Sequence, residues 1–382
     1  MNKSGTTSAG RTRWRCPDCG ASTTKTRPDI TRTAEMRLFI AWLIGPASLS
    51  EIAAKIGRHR NTVAQMLSWC WLIVVPNNPA DPARVYDQLF IDATYLAGGC
   101  VLIARDHHHV VCWHWCWRED KHNYLHLLDK LAPPKLVTTD GHRGSLAALA
   151  QRWPDVPVQR CLVHIRRNLR SYTTLHPTSD CGKALRALAC ALTKVETTEQ
   201  AAVFAAQLQQ FYLVYRRHLS ERTYKKDVAA DAIPAHAQGN KRWWYTHLNH
   251  RRAYFLLERT LKTGQLFAFL RDDLDFCGPD RAVSTTNCLE GATNAPIKEL
   301  ARRHRGLSRQ HQRSACDWWL YVHTEDPVVP EVLAKQQGWG ADALRLAQAN
   351  EHGDHLGGPG WGTGVEEGGS MGVQKGWAGR SR

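Results

Sequence analysis

The chain has 382 residues, 43% of them hydrophobic, and sets 50 Lys and Arg against 35 Asp and Glu for a formal charge of +15 and a pI near 9.4. That length allows two or three domains, the composition supports an ordinary core, and the cationic excess points to a polyanion, nucleic acid first. The longest apolar runs, 38–44 and 69–75, fall short of the roughly 20 residues a membrane helix needs, which argues against a spanning segment. Twelve cysteines behind a polar, basic N-terminus rather than an apolar leader lead us to expect free thiols in a reducing cytoplasm, not a disulfide framework.

Residues 1–30 form a basic arm holding Cys16-Pro17-Asp18-Cys19-Gly20. This is half a zinc ribbon: two thiolates on one turn, where tetrahedral zinc needs four ligands. It is either completed from elsewhere or no more than a basic arm attracted to DNA. Residues 31–75 carry helical spacing from Thr33 to Leu43, then a short helix opened by Ser48 and Glu51 and stopped at Gly57, then a second from Arg58 to Leu67. A glycine turn between two short helices, with polar and basic residues opening the second, reads as a helix-turn-helix. Arg58, Arg60, Asn61, Thr62 and Gln65 are its candidate DNA contacts. The linker Pro76–Pro82 closes this unit.

From Tyr86 the pattern changes to strands: 86–95, 100–105 and 109–117. A helix over 119–131, a strand over 135–139, a helix over 145–153 and a strand over 156–159 follow. Three sequential strands and then alternation is the order of a ribonuclease-H-like sheet, an α/β core whose fourth strand lies parallel beside the first. Residues 84–170 are the first part of that core. Residues 171–280 read as an all-α insertion, and 281–325 as the part of the core that carries the last helix. A C-terminal helical segment over 326–350 and a Gly-rich disordered tail over 351–382 complete the chain.

Three acids stand out. Asp92 interrupts the apolar strand Gln88–Tyr95, Asp140 ends the strand at Thr139, and Glu290 opens a helix after Ser284-Thr285-Thr286-Asn287. A buried strand rarely spends a position on aspartate without a partner or metal. The β-β-β-α-β order brings Asp92 and Asp140 to neighbouring strands. Two strand aspartates and a helix glutamate supply the hard oxygens a two-metal phosphoryl-transfer site needs, here two Mg²⁺ (or Mn²⁺) ions. Thr286 or Asn287 can cap the helix of Glu290, Asn294 shares its face at i+4, and Pro296 kinks or restarts it. Arg302, Arg303 and Arg305 form a basic patch suited to phosphates. Trp243 and Trp244, beside Lys241 and Arg242, suit stacking on an unpaired base or simply belong to a core.

At these residues the chain resembles the mutator-type transposases of bacterial insertion sequences, relatives of the mutator-like elements. The likeness covers roughly residues 10–325. Its carriers are Asp92 in Ile-Asp-Ala-Thr-Tyr, Asp140 in Thr-Thr-Asp-Gly-His, Cys161 and His164 in Arg-Cys-Leu-Val-His, and Glu290 in Thr-Thr-Asn-Cys-Leu-Glu. The resemblance implies a ribonuclease-H-like core with a helical insertion, a Mg²⁺-dependent Asp-Asp-Glu triad and, in many members, an N-terminal zinc ribbon and helix-turn-helix. It implies DNA partners, both element ends and target, a homodimer or larger assembly on DNA, no membrane, and a place in the bacterial cytoplasm at the nucleoid. The chain departs from the pattern twice: the ribbon is halved, and the asparagine often found three residues after the glutamate is Thr293, with Asn294 one further on. Cys161 and His164 read either as half a zinc site, with Cys181, His247 and His250 as candidate partners, or as support beneath a catalytic carboxylate. Two other readings stay open: an inactive transposase remnant or helix-turn-helix regulator, and another ribonuclease-H-like nuclease.

Overall fold

The computed structural model describes residues 1–8, 10–24, 28–77, 81–96, 99–277, 280–341 and 343. The Gly-rich tail, residues 344–350 of the expected C-terminal helical segment, residues 78–80 of the linker and Gly98 lie outside the described residues. The chain begins with a small antiparallel sheet of β1 (Asn2–Thr6), β2 (Thr12–Arg15) and β3 (Ser22–Thr24), followed by α1 (Pro28–Ile44), α2 (Leu49–Lys55) and α3 (Arg60–Met66). Then come β4 (Gln88–Leu96), β5 (Gly99–Arg105), β6 (Val110–Cys116), α4 (Lys121–Leu128), β7 (Leu136–Thr139), α5 (Arg143–Arg152) and β8 (Val158–Arg160). Four helices, α6 (Leu162–Thr173), α7 (Asp180–Leu192), α8 (Thr198–Ser220) and α9 (Leu248–Lys262), are interrupted by a hairpin of β9 (Arg222–Tyr224) and β10 (Trp243–Tyr245). The last elements are α10 (Asn287–Leu289), a π-helical turn (Glu290–Asn294), α11 (Ala295–Arg303), α12 (Arg309–Val322) and α13 (Pro330–Gln336).

The chain divides into two compact units. One comprises residues 1–76, 304–322 and 326 onward, and the other residues 77–303 and 323–325. Of the expected core segment 281–325, residues 281–303 and 323–325 group with the sheet and 304–322 with the first unit. In the first unit the His304 ring bonds the Leu43 carbonyl at 2.8 Å, His311 stacks on Trp71 at 4.2 Å, and Gln337 exchanges two 2.8 Å hydrogen bonds with the backbone of Val74. Ser48 and Glu51 close a capping box on α2, and Gly57 makes the turn before α3 at φ +65°.

The second unit is built on a five-stranded sheet of order β6-β5-β4-β7-β8. The first three strands run antiparallel in sequence order, and β7 and β8 add in parallel on the other side of β4. Leu89 and Ile91 of β4 and Val137 of β7 pack with Tyr124, Leu127, Leu128 and Leu149 of α4 and α5. Because strand side chains alternate, Gln88, Phe90 and Asp92 look to the opposite face, as do Thr138 and Asp140. A second core binds α6 to α9 through Leu169, Leu185, Phe204, Phe211, Tyr254 and Leu257.

One expected helix is corrected. The pattern over 241–270 reads as continuous helix, but Trp243–Tyr245 pairs with Arg222–Tyr224 as a strand and the helix begins only at Leu248. The aromatic and β-favouring run decides this locally, and cations cover it: the Arg222 guanidinium sits 4.0 Å over Trp243 and that of Arg251 3.9 Å over Tyr245.

After this helical excursion the chain must find the sheet again, and Gln88 is where it does so. Its amide donates to Thr138 Oγ1 and to the Val283 carbonyl, both at 2.7 Å, and its oxygen accepts from the Val283 N–H at 2.9 Å. The side chain is buried, so Gln88→Leu leaves the Val283 N–H without its partner and its carbonyl with only the longer 3.4 Å bond from the Thr138 hydroxyl. We expect a loss of about 2–3 kcal/mol of unfolding free energy in urea melts; a change below about 0.5 kcal/mol would contradict this docking role.

Candidate active site

Asp92 lies at the middle of β4, in a strand whose other residues are almost wholly apolar, and is 9% exposed. The parallel register pairs Ile91 with Thr139, so Asp140, the next residue, comes beside Asp92. Asp140 is fixed by the His142 N–H, which donates to its Oδ1 at 2.8 Å. Gly141 between them turns at φ +88°, and a Cβ there would strike the Arg160 guanidinium at 2.0 Å, so any other residue in the turn after β7 would be strained.

Glu290 reaches the same region from the far end of the sequence. Ser284 accepts from the Leu162 N–H at 3.0 Å, and the Thr286 N–H donates to Cys161 Sγ at 3.3 Å, so the segment before Glu290 is laid against the start of α6. Thr286 does not cap a helix with its side chain, as the sequence suggested; its hydroxyl lies 3.5 Å from both His164 Nδ1 and Glu290 Oε1. Glu290 is further held by Arg167 at 3.1 Å and by His164 Nε2 at 3.4 Å. Asn287 heads α10.

Pro296 explains the turn that follows. It has no N–H for the carbonyl one helical turn back, and the helix widens into the π turn Glu290–Asn294 before regular α-helix resumes. In the wider turn the i+4 residue returns to the face of Glu290. Asn294 Nδ2 accordingly donates to Asp92 Oδ2 at 2.9 Å, while Thr293 turns to accept from Arg105 Nη1 at 2.8 Å. The later asparagine thus occupies the position beside the aspartate.

Burial, and then the facing Asp140 and Glu290, push the Asp92 carboxyl up to about 7. The oxygens of the three acids do not all fall within 4.8 Å of one another, the compass of one ion; a trio shared between two ions spans more. Asn294 Oδ1 is buried without a partner. Burial works to raise the Cys161 thiol, but hydrogen bonds from His164 and Thr286 outweigh it and hold the thiol below its ordinary range; the same bond to Cys161 raises His164. His164 thus braces Glu290 directly, while Cys161 holds the Thr286 backbone ahead of it. Among the described residues they do not join Cys181, His247 or His250 in a metal-ligating group.

Three residues of this neighbourhood escaped the sequence reading: Arg167, Gln88 and Glu119. Glu119 accepts from Tyr124 OH at 2.6 Å and lies 3.0 Å from His142 Nδ1, and burial raises its carboxyl, with Asp140 adding to the effect. No local pattern marks these residues, because each acts on a partner remote in sequence or on a neighbouring loop.

The other candidate residues lie elsewhere. Arg58, Arg60, Asn61, Thr62 and Gln65 are exposed around α3, and Val63 and Leu67 face inward. Arg302, Arg303 and Arg305 are exposed. Trp243 and Trp244 are half-buried. Cys16 and Cys19 flank the turn between β2 and β3, and among the described residues no third ligand joins them. All twelve cysteines are free thiols, and no helix among the described residues is long and apolar enough to cross a membrane.

Asp92 binds its proton more tightly folded than unfolded, so its contribution is full below pH about 4 and is lost as the pH rises through about 7. In metal-free buffer the native chain should lose on the order of 2–4 kcal/mol over that window relative to Asp92→Asn. Parallel pH profiles for the two proteins would show that Asp92 is not a strained carboxylate.

Residues 85–231 match the family model described as Transposase, Mutator family. The matched span holds Asp92, Asp140, Cys161 and His164 and stops short of Glu290. No curated protein matches the chain.

Proposed function

We propose that this chain, whose residues 85–231 match the family model described as Transposase, Mutator family, cuts DNA at the ends of a mobile element and joins the freed 3′-hydroxyl to target DNA, with Asp92, Asp140 and Glu290 as its metal-holding acids. The observation that carries this reading is the hydrogen bond from Asn294 to Asp92. It ties the turn of Glu290 to the strand whose neighbour ends in Asp140. The strand order supports a ribonuclease-H-like core, since β4 and β7 lie parallel and side by side.

The residues fit a pair of divalent ions. Three converging carboxylates repel one another, Asp92 is held partly protonated near neutral pH, and the Asn294 oxygen has no partner. Asp92, Asp140 and Glu290 would hold the Mg²⁺ ions. When bound, such ions lower the pKa of an attacking water or 3′-hydroxyl and stabilise the leaving oxygen. The chain's own part is placement. Asn294 fixes one oxygen of Asp92, the His142 N–H fixes Asp140, and His164 and Arg167 orient Glu290.

End recognition falls to α2 and α3 as a helix-turn-helix, which the capping box, the Gly57 turn and the exposed polar face of α3 support. Arg302, Arg303 and Arg305 suit phosphate contacts. Trp243 already carries a guanidinium on one face, which leaves Trp244 the better placed of the pair for base stacking.

The test uses a duplex that carries the element's terminal sequence and flanking DNA, with Mg²⁺ present. The native chain should release a 3′-hydroxyl and join it to a second duplex. Asp92→Ala, Asp140→Ala and Glu290→Gln should each lower both products by about 10³-fold or more while gel-shift binding persists. Nicking by Asp92→Ala at the native rate would sink the assignment, and nicking without joining would favour a plain nuclease. Asn61→Ala should weaken binding to the terminal sequence by about 1–3 kcal/mol and relax its specificity; unchanged affinity and specificity would remove α3 from the interface.

A further inference from the structure

The strongest unassigned feature lies in the helical part, away from the three acids. The C-terminal end of α8 meets the N-terminal ends of α7 and α9, and each brings a metal-ligating side chain to the junction. Cys181, His218 and His250 present Sγ and ring nitrogens that all lie within 4.8 Å of one another. His218 Nε2 stands 3.0 Å from His250 Nδ1. A second set, Glu221, His218 and His247, shares His218: His247 Nε2 is 3.3 Å from Glu221, and its ring stacks on that of His218 at 3.6 Å.

We propose that Cys181, His218 and His250 bind a zinc-class divalent ion that clamps the ends of α7, α8 and α9 together. One thiolate and two imidazoles form the donor set that favours zinc over magnesium or calcium, and three protein ligands leave a fourth bond for water or a further side chain. His247 and Glu221 are the nearby donors for it. Donors on a tetrahedral zinc lie about 3.3–3.8 Å apart, given bonds of roughly 2.0–2.3 Å. Small side-chain rotations bring a set already within 4.8 Å to that spacing.

The local packing is also what such a site requires. Cys181 is buried, and Gly182 beside it lets the helix ends close, since a Cβ there would lie 2.8 Å from Pro177 and 3.3 Å from His250 Nε2. The His218 and His250 rings meet nitrogen to nitrogen at 3.0 Å, and an ion drawn between them would take a lone pair from each in place of that hydrogen bond.

The full chain bearing Cys16→Ser and Cys19→Ser, which removes the other thiolate pair, is the parent for the test. Purified from zinc-supplemented medium and dialysed, it should retain about one zinc per chain by mass spectrometry. Its cobalt-substituted form should show a thiolate-to-cobalt charge-transfer band. Cys181→Ser should abolish the band, and His250→Gln should weaken zinc retention at least about tenfold. Chelator should lower the melting temperature of the parent and leave that of Cys181→Ser unchanged. Should Cys181→Ser fail to fold, the parent's metal content, its cobalt spectrum and the His250→Gln variant still decide. A parent without zinc or band, or a Cys181→Ser protein that keeps both, would overturn the site.

Discussion

The second unit depends on one electrostatic conflict: a carboxylate placed in the middle of the central strand of a sheet. Asp92 is surrounded on its strand by Leu89, Phe90 and Ile91 and faces two further acids. An isolated buried carboxylate costs several kcal/mol, and like charges around it deepen the penalty. A fold keeps such a residue only where something else needs it. Among the described residues the side chain that donates to it is Asn294, an amide that neutralises nothing and leaves its own oxygen unpaired. That uncompensated arrangement is the observation from which the proposed metal-holding role of the three acids starts.

The long helical excursion between Asp140 and Glu290 is tolerable because both of its ends are fixed on the sheet. It leaves from α6, which starts directly after β8 at Cys161, and it returns past Val283 and Thr286. Gln88 holds Val283, Cys161 receives the Thr286 N–H, and Leu162 donates to Ser284. The excursion has a core of its own among α6 to α9. Its length is therefore nearly free of consequence for the site, since loop closure grows only slowly with length once the ends are docked. Cys161 and His164 serve this return as much as the acids do: one receives the incoming backbone and the other steadies Glu290.

Much of this was legible from the residues. The sheet strands were visible because their apolar and β-branched runs are bounded by turn residues, and Asp92 and Asp140 stood out against those runs. What was hidden has a common physical cause, contact between residues remote in sequence. Gln88 looks like an ordinary polar end to a strand until Val283 arrives 195 residues later. Arg167 is one arginine among many in a basic chain until Glu290 lies against it. The Trp243–Tyr245 strand was misread as helix because its partner, Arg222–Tyr224, sits just after a long helix with no turn signal of its own. Cys181 and His250 were legible only as candidate partners for Cys161 and His164, and His218 not at all, because nothing in their spacing says that three helix ends meet.

Pro296 shows how a local covalent fact can set chemistry at a distance. A helix running unbroken through Glu290 would offer its i+3 and i+4 positions almost equally to the neighbouring strand. The missing N–H of proline widens the turn before it, and the choice is then made: Asn294 goes to Asp92, and Thr293 goes to Arg105 at the end of β5. Both contacts are buried, so neither residue can exchange roles without leaving a polar group unpaired. The π turn thereby brings the asparagine at i+4, and not the threonine at i+3, to the strand. It leaves an amide beside the strand aspartate, where a buried carboxylate needs a donor.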